Sequence, residues 1–161
     1  MPAVFLGPEH NHARCAADAI AHAEKVCAAR AQRLTPIRRK VLEVLAASHR
    51  PLGAYDIMAQ VGGPRPAPIT IYRALDFLIE QGLVHRIASR NAFLACVNNH
   101  SDGALVAFLI CESCDAVGEA PGAAVGQSLN AAARSAGFTP KMSVVEITGL
   151  CAHCRARAKT S

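Results

Sequence analysis

The chain has 161 residues, 52% hydrophobic and 18% charged, which is enough apolar side chain to bury a core and excludes disorder over the whole length. Nine Pro and eleven Gly exclude collagen-like and low-complexity classes, and the longest apolar run, Gly103 to Cys111, is about half of what a bilayer span requires. The net charge of +5 is one-sided: twelve Lys and Arg against seven Asp and Glu precede residue 91, and the remainder is balanced, so the first part of the chain is the part suited to a polyanion, most simply nucleic acid.

In chain order, residues 1–15 read as a disordered tail. The start, MPAVFLGPEHNHARC, has neither a basic n-region nor a long apolar stretch, so no signal peptide is expected and the cytoplasm is the expected location. An Ala-rich helix is predicted from about Ala16 to Ala31. Thr35-Pro36 marks a helix start, with Thr35 as N-cap and Pro36 at the first helical position. Ile37, Val41, Leu42, Val44 and Leu45 then give an amphipathic helix to about Ala47, and a second short helix spans Ala54 to Val61. Gly62 to Pro68 is a stiff, non-helical loop. A third helix runs from about Ile69 to Gln81 on the stripe Ile71, Ala74, Leu75, Leu78 and Ile79, and Gly82 ends it. The period then changes to two strands, Leu83–Ile87 and Ala92–Val97, around a polar turn at 89–91.

Behind the Ala-rich helix, three helices and a hairpin make the winged helix-turn-helix pattern, and the domain spans residues 16–97. Residues 98–103 are turn-rich and form a hinge. Residues 104–155 read as strand, CxxC turn, strand, helix, strand and a second CxxC turn, a small unit that needs a staple at its size; 156–161 is a basic tail. The fold class is α+β, a winged-helix domain followed by a small α/β domain with a structural zinc site.

Seven cysteines in a chain expected in a reducing compartment need an explanation other than disulfides. Four form two pairs, Cys111/Cys114 and Cys151/Cys154, each placed after a predicted strand. A two-residue spacer lets two thiolates point at one ion, and two such knuckles make a tetrahedral four-sulfur zinc site. Redox-active pairs are the alternative, disfavoured because neither pair opens a helix after a strand in the predicted layout. In the third helix Thr70, Tyr72 and Arg73 occupy the end that winged-helix readers place in the major groove. There Arg73 suits a bidentate contact with guanine, and Thr70 and Tyr72 suit phosphates, against the plainer reading of a solvated helix face. A looser set, His85, Cys96, His100 and Glu119, offers nitrogen, sulfur, nitrogen and oxygen donors for a second zinc. Singly these residues read as a strand surface residue, a small core residue, a polar hinge residue and a solvated charge.

Several segments together make the sequence recognisable: Ala23-Glu24-Lys25-Val26-Cys27, Arg33-Leu34-Thr35-Pro36-Ile37-Arg38, Ala54-Tyr55-Asp56, Thr70 to Leu78, Glu80 to His85 and Gly149 to Cys154. The chain resembles the ferric uptake regulator superfamily, and within it the zinc-uptake branch, over about residues 20–155. The resemblance implies a homodimer held by the C-terminal domain, a structural zinc on Cys111, Cys114, Cys151 and Cys154, and a regulatory zinc on His85, Cys96, His100 and Glu119. It adds Tyr55 to Thr70, Tyr72 and Arg73 as DNA-binding residues. The implied function is zinc-responsive repression of zinc-uptake genes, by a dimer that binds double-stranded operator DNA when loaded with two zinc ions per chain.

The sequence also departs from the family. Iron-type members carry a His-rich hinge, where this chain has Asn98-Asn99-His100-Ser101-Asp102. His100 precedes Cys111 by more residues than the zinc branch favours, which leaves Asp102 as the alternative fourth ligand. Iron and manganese sensing are disfavoured by the soft ligand Cys96, and a peroxide or thiol sensor would use Cys15, Cys27 and Cys96. A zinc deaminase is superficially suggested by His22-Ala23-Glu24 with Cys111 and Cys114, but Ile110 stands where its signature needs Pro. No catalytic residue, small organic substrate or membrane partner is therefore assigned, and the chain is not read as an enzyme.

Overall fold

The computed structural model describes Phe5 and residues 11–48, 50–96, 105–140 and 143–158. The chain divides into two compact units, one of residues 7–99 and one of residues 100–161 together with 1–6.

The first unit opens with helix α1 (His12–Ala29), which begins inside the stretch expected to be a disordered tail. Asn11 explains the earlier start: its side chain accepts from the Arg14 backbone N–H at 3.3 Å and caps the helix. Helix α2 (Pro36–Ala46) has Thr35 at the N-cap and Pro36 at the first position, as expected, but the Thr35 side chain makes no capping hydrogen bond. Helix α3 (Ala54–Gln60) is followed by α4 (Pro68–Glu80). Pro68, placed in the preceding loop by its sequence, is the first residue of α4, where its missing N–H has no helical acceptor to serve. Gly82 ends α4 with φ of +72°, while the N–H of Leu83 reaches the Leu78 carbonyl at 2.9 Å and that of Gly82 the Ile79 carbonyl at 2.9 Å, a Schellman closure.

The wing is strand β1 (Val84–Ile87) antiparallel to β2 (Ala92–Ala95), joined by a 3-10 turn at Ala88–Arg90 and a left-handed Asn91. Leu52, before α3, bonds to Phe93 through both backbone groups at 2.9 and 2.8 Å and ties the wing to the helices. Ala23 and Cys27 of α1, Val41, Leu42 and Leu45 of α2, Ile57 of α3 and Ile71, Leu75 and Leu78 of α4 form one core with Leu83, Val84 and Phe93. Each fully buried Leu or Ile contributes about 1.5–3 kcal/mol by leaving water.

The second unit is a three-stranded sheet in the order β4-β3-β5, from β3 (Val106–Cys111), β4 (Val117–Pro121) and β5 (Val145–Gly149). Strand β3 is antiparallel to β4 and parallel to β5. Helix α5 (Ala123–Ser135) makes the crossover. Gly122 and Gly126 let it approach Leu105: a Cβ on Gly122 would stand 2.7 Å from the Leu105 carbonyl oxygen. Helix α6 (Ala152–Ala158) closes the unit and runs into the residues expected to form a tail. The core here is thin, with Val106, Phe108, Ile110 and Val117 as its large buried side chains, while Val125, Leu129, Phe138, Val144, Ile147 and Leu150 are exposed.

Candidate metal centre and nucleic-acid interface

The pairing of β3 with β5 brings the two CxxC pairs together. The strands are parallel, with Cys111 opposite Gly149, so their C-terminal ends lie side by side and both knuckles begin at the same edge. The first is a tight turn in which the Asp115 N–H reaches the Cys111 carbonyl at 2.9 Å and that of Cys111 reaches Ala116 at 2.9 Å. The second differs from its expected turn, because Cys151 directly precedes α6 and Cys154 lies in the helix's first turn. The Ala- and Arg-rich run from Ala152 to Ala158 favours that helix. One pair thus does open a helix after a strand, and the sequence argument against redox pairs fails for it.

The arrangement of the sulfurs bears on the same choice. All four ligand atoms lie within 4.8 Å of one another, and none of the cysteines forms a disulfide. The sulfurs of Cys114 and Cys151 are 3.9 Å apart, and a tetrahedral ion with Zn–S bonds of about 2.3 Å sets its ligands about 3.8 Å apart. A redox pair has no use for two further sulfurs at that spacing.

Electrostatics within the cluster point the same way. Burial pushes the Cys111 thiol up, but backbone N–H groups of Cys151, Cys114 and Ser113 and the Cys114 thiol outweigh it and hold Cys111 at about 6. Cys114 receives a backbone hydrogen bond from Ala116 that favours its thiolate, yet burial and the neighbouring sulfurs of Cys111, Cys154 and Cys151 push it up to about 12. A buried pocket that stabilises one thiolate and resists the next is one that a dication completes.

His85 and Cys96 belong to the first unit. His85 of β1 stands opposite Leu94 of β2, and the Cys96 N–H extends the ladder to the Leu83 carbonyl at 2.9 Å. Strand alternation therefore puts His85 and Cys96 on one face of the wing as diagonal neighbours, about 7–8 Å apart at Cα and within reach of one ion. Both are half-buried. Glu119 belongs to the second unit, on β4 opposite Phe108, and is the one charged side chain buried among the described residues. His100 and Asp102 lie outside the described residues.

Tyr55, Tyr72 and Arg73 are exposed, whereas Thr70 is half-buried. Thr70, three residues before Arg73, is therefore less open to solvent than Arg73. It precedes Ala74 by one helical turn and sits at the margin of the stripe Ile71, Ala74, Leu75 and Leu78. The open face carries Ile69, Tyr72 and Arg73. Tyr55 and Tyr72 meet along a shallow crevice with Ala54, Met58, Pro68 and Ile71. Behind α4, the Arg38 guanidinium lies 3.5 Å from the Phe77 ring centroid and donates to the Arg33 carbonyl at 2.6 Å, bracing the helix against α2. Arg39 pairs with Glu24 of α1. Ile69 was not singled out by its sequence, although it stands off the buried stripe of α4.

Residues 29–148 match the Ferric uptake regulator family. The zinc uptake regulation protein of Escherichia coli (strain K12) is 39% identical over 137 residues, 84% of this chain and 80% of the relative. Among solved structures, a zinc uptake regulator complexed with zinc and DNA aligns with a TM-score of 0.85 at 36% identity, covering 91% of this chain and 98% of the other. Holo XcZur aligns with a TM-score of 0.81 at 41% identity, covering 88% and 99%.

Proposed function

The chain belongs to the ferric uptake regulator family, and from that premise we propose that it is a zinc-responsive transcriptional repressor of zinc-uptake genes, acting as a homodimer on operator DNA in the cytoplasm rather than as an enzyme. The observation that carries this reading is the pairing of His85 and Cys96 on one face of the wing, which builds nitrogen and sulfur donors into the DNA-reading unit itself. Such soft and borderline donors suit zinc better than iron or manganese.

Two zinc ions per chain are assigned. Cys111, Cys114, Cys151 and Cys154 hold the structural ion, which supplies stability that the thin core of the second unit lacks. His85, Cys96, His100 and Glu119 hold the regulatory ion. On this proposal the ligands come from both units and the segment between them, so that zinc binding biases the chain toward its DNA-binding form by conformational selection. In a dimer the selection fixes the spacing of two α4 helices, so that two half-sites on one face of DNA are reached together. Arg73 reads base edges, and Tyr55, Tyr72 and Thr70 support it on bases and phosphates. The second copy is expected on the second unit, where β5 is an edge strand and Ile147 and Leu150 are exposed.

The test is affinity for duplexes enriched from a random pool by the zinc-loaded chain, measured with and without added zinc while the four-cysteine site stays filled. Tighter binding with zinc is expected; equal affinity ends the switch.

A further inference from the structure

We propose that Ile69 reads the methyl group of a thymine in the major groove, no more than two base steps from the guanine met by Arg73; this rests on the DNA-binding reading above. Ile69 is the second residue of α4 and is 57% exposed. It joins no core cluster, and it caps nothing, since the N-cap of α4 is Ala67 with no side-chain bond. A β-branched aliphatic residue in the first turn gains little for the helix, where Ser, Thr, Asp or Glu is favoured. Its exposure is therefore unexplained by the fold.

The surroundings supply an explanation. Tyr72 and Arg73 follow Ile69 at three and four residues, so the three side chains share one helix face. Tyr55, 63% exposed, and Tyr72, 40% exposed, flank the crevice between the starts of α3 and α4. A lone exposed aliphatic is ordinary, but an apolar patch beside an arginine, at the end of a helix that enters a groove, has a definite complement. The major-groove edge of DNA offers one apolar group, the thymine methyl. Four residues of helix rise by about 6 Å, and base pairs stack at about 3.4 Å, which sets the limit of two steps between the contacts of Ile69 and Arg73.

The experiment uses the full-length, zinc-loaded chain and a duplex that it enriches from a random pool. Each thymine of the enriched site is replaced in turn by deoxyuridine, which removes only the methyl, and binding is measured for the parent chain and for Ile69→Val, Ile69→Ser and Arg73→Ala. At one thymine per half-site, within two steps of the guanine to which Arg73→Ala becomes indifferent, the parent chain should lose about fourfold for the one buried methyl. Ile69→Val and Arg73→Ala should still register that loss. Ile69→Ser should bind the normal duplex more weakly and be indifferent to the replacement. The assignment is overturned if no replacement matters, or if Ile69→Ser loses as much as the parent at that position, which would give the methyl to Tyr55 or Tyr72. It is overturned equally if Ile69→Ser changes self-association and leaves DNA binding intact. A pool that yields no enriched sequence defeats the repressor reading as well, whereas an enriched sequence indifferent to methyl loss defeats Ile69 alone.

Discussion

On the proposed function, Arg73 and Cys96 separate reading from sensing at the level of single side chains. Arg73 is exposed on α4 and takes no part in the core, so Arg73→Ala should leave thermal stability unchanged and cost about 1–3 kcal/mol of specific DNA binding, measured by titration against the enriched and a scrambled duplex. A loss shared equally by both duplexes would reassign it to the phosphates. Cys96 lies just past β2, half-buried, with its backbone N–H on the Leu83 carbonyl whatever its side chain does. Cys96→Ser should therefore keep the fold and abolish zinc-dependent DNA binding. An unfolded variant would make Cys96 a structural residue instead. The exposed place of Arg73 on α4 was readable in the sequence, because the helix register puts it off the apolar stripe. The exposure of Ile69 was only half legible: its place off the buried stripe shows in the sequence, but that nothing else covers it is decided by packing.

Two contrasting substitutions test how the elements are built. Thr35 occupies an N-cap without capping, so Thr35→Ala should lower the unfolding free energy, measured by chemical denaturation, by less than about 0.5 kcal/mol, where a working cap contributes about 1 kcal/mol. Gly122 is held by contact: a methyl there would lie 2.7 Å from the Leu105 carbonyl oxygen and 2.9 Å from its Cγ. Gly122→Ala should destabilise the second unit by about 1–3 kcal/mol through the displacement of α5, seen as an earlier chemical denaturation midpoint. The Thr-Pro pair shows why the start of α2 was legible: Pro36 and the extended Thr35 backbone (ψ 160°) are set by local sterics. Whether the threonine hydroxyl also bonds depends on a side-chain geometry that composition does not fix. The 152–158 helix was missed because the second CxxC pair dominated its reading, although its residues are good helix formers.

For the molecule as a whole, the four-cysteine cluster couples folding to metal and to pH. Without the ion, Cys111 at about 6 is a thiolate at neutral pH, and Cys114 at about 12 keeps its proton. Zinc takes thiolates, so loading at pH 7 must strip at least the Cys114 proton. Apparent affinity should therefore rise with pH between about 6 and 12, roughly tenfold per unit for each proton released, and fall more steeply below about 6 as Cys111 also protonates. Calorimetry in buffers of different ionisation enthalpy measures the released protons directly; a count of zero at pH 7 would refute the assignment. Complete chelation should unfold the second unit while the first, with its own core of four helices and the wing, keeps its helical signal.

The sequence by itself determined the cores of helices α1 to α5, the hairpin, the spacing of the two CxxC pairs and the basic balance of the first unit. Each follows from residues within a few positions of one another: apolar stripes, Pro and Gly punctuation, and the two-residue spacer. Tertiary structure alone decided that the two knuckles meet, since their separation of 37 residues from Cys114 to Cys151 is closed by the parallel pairing of β3 and β5. It also decided that Thr70 turns partly inward and Ile69 stays in water, because burial is set by what packs against a residue from distant parts of the chain.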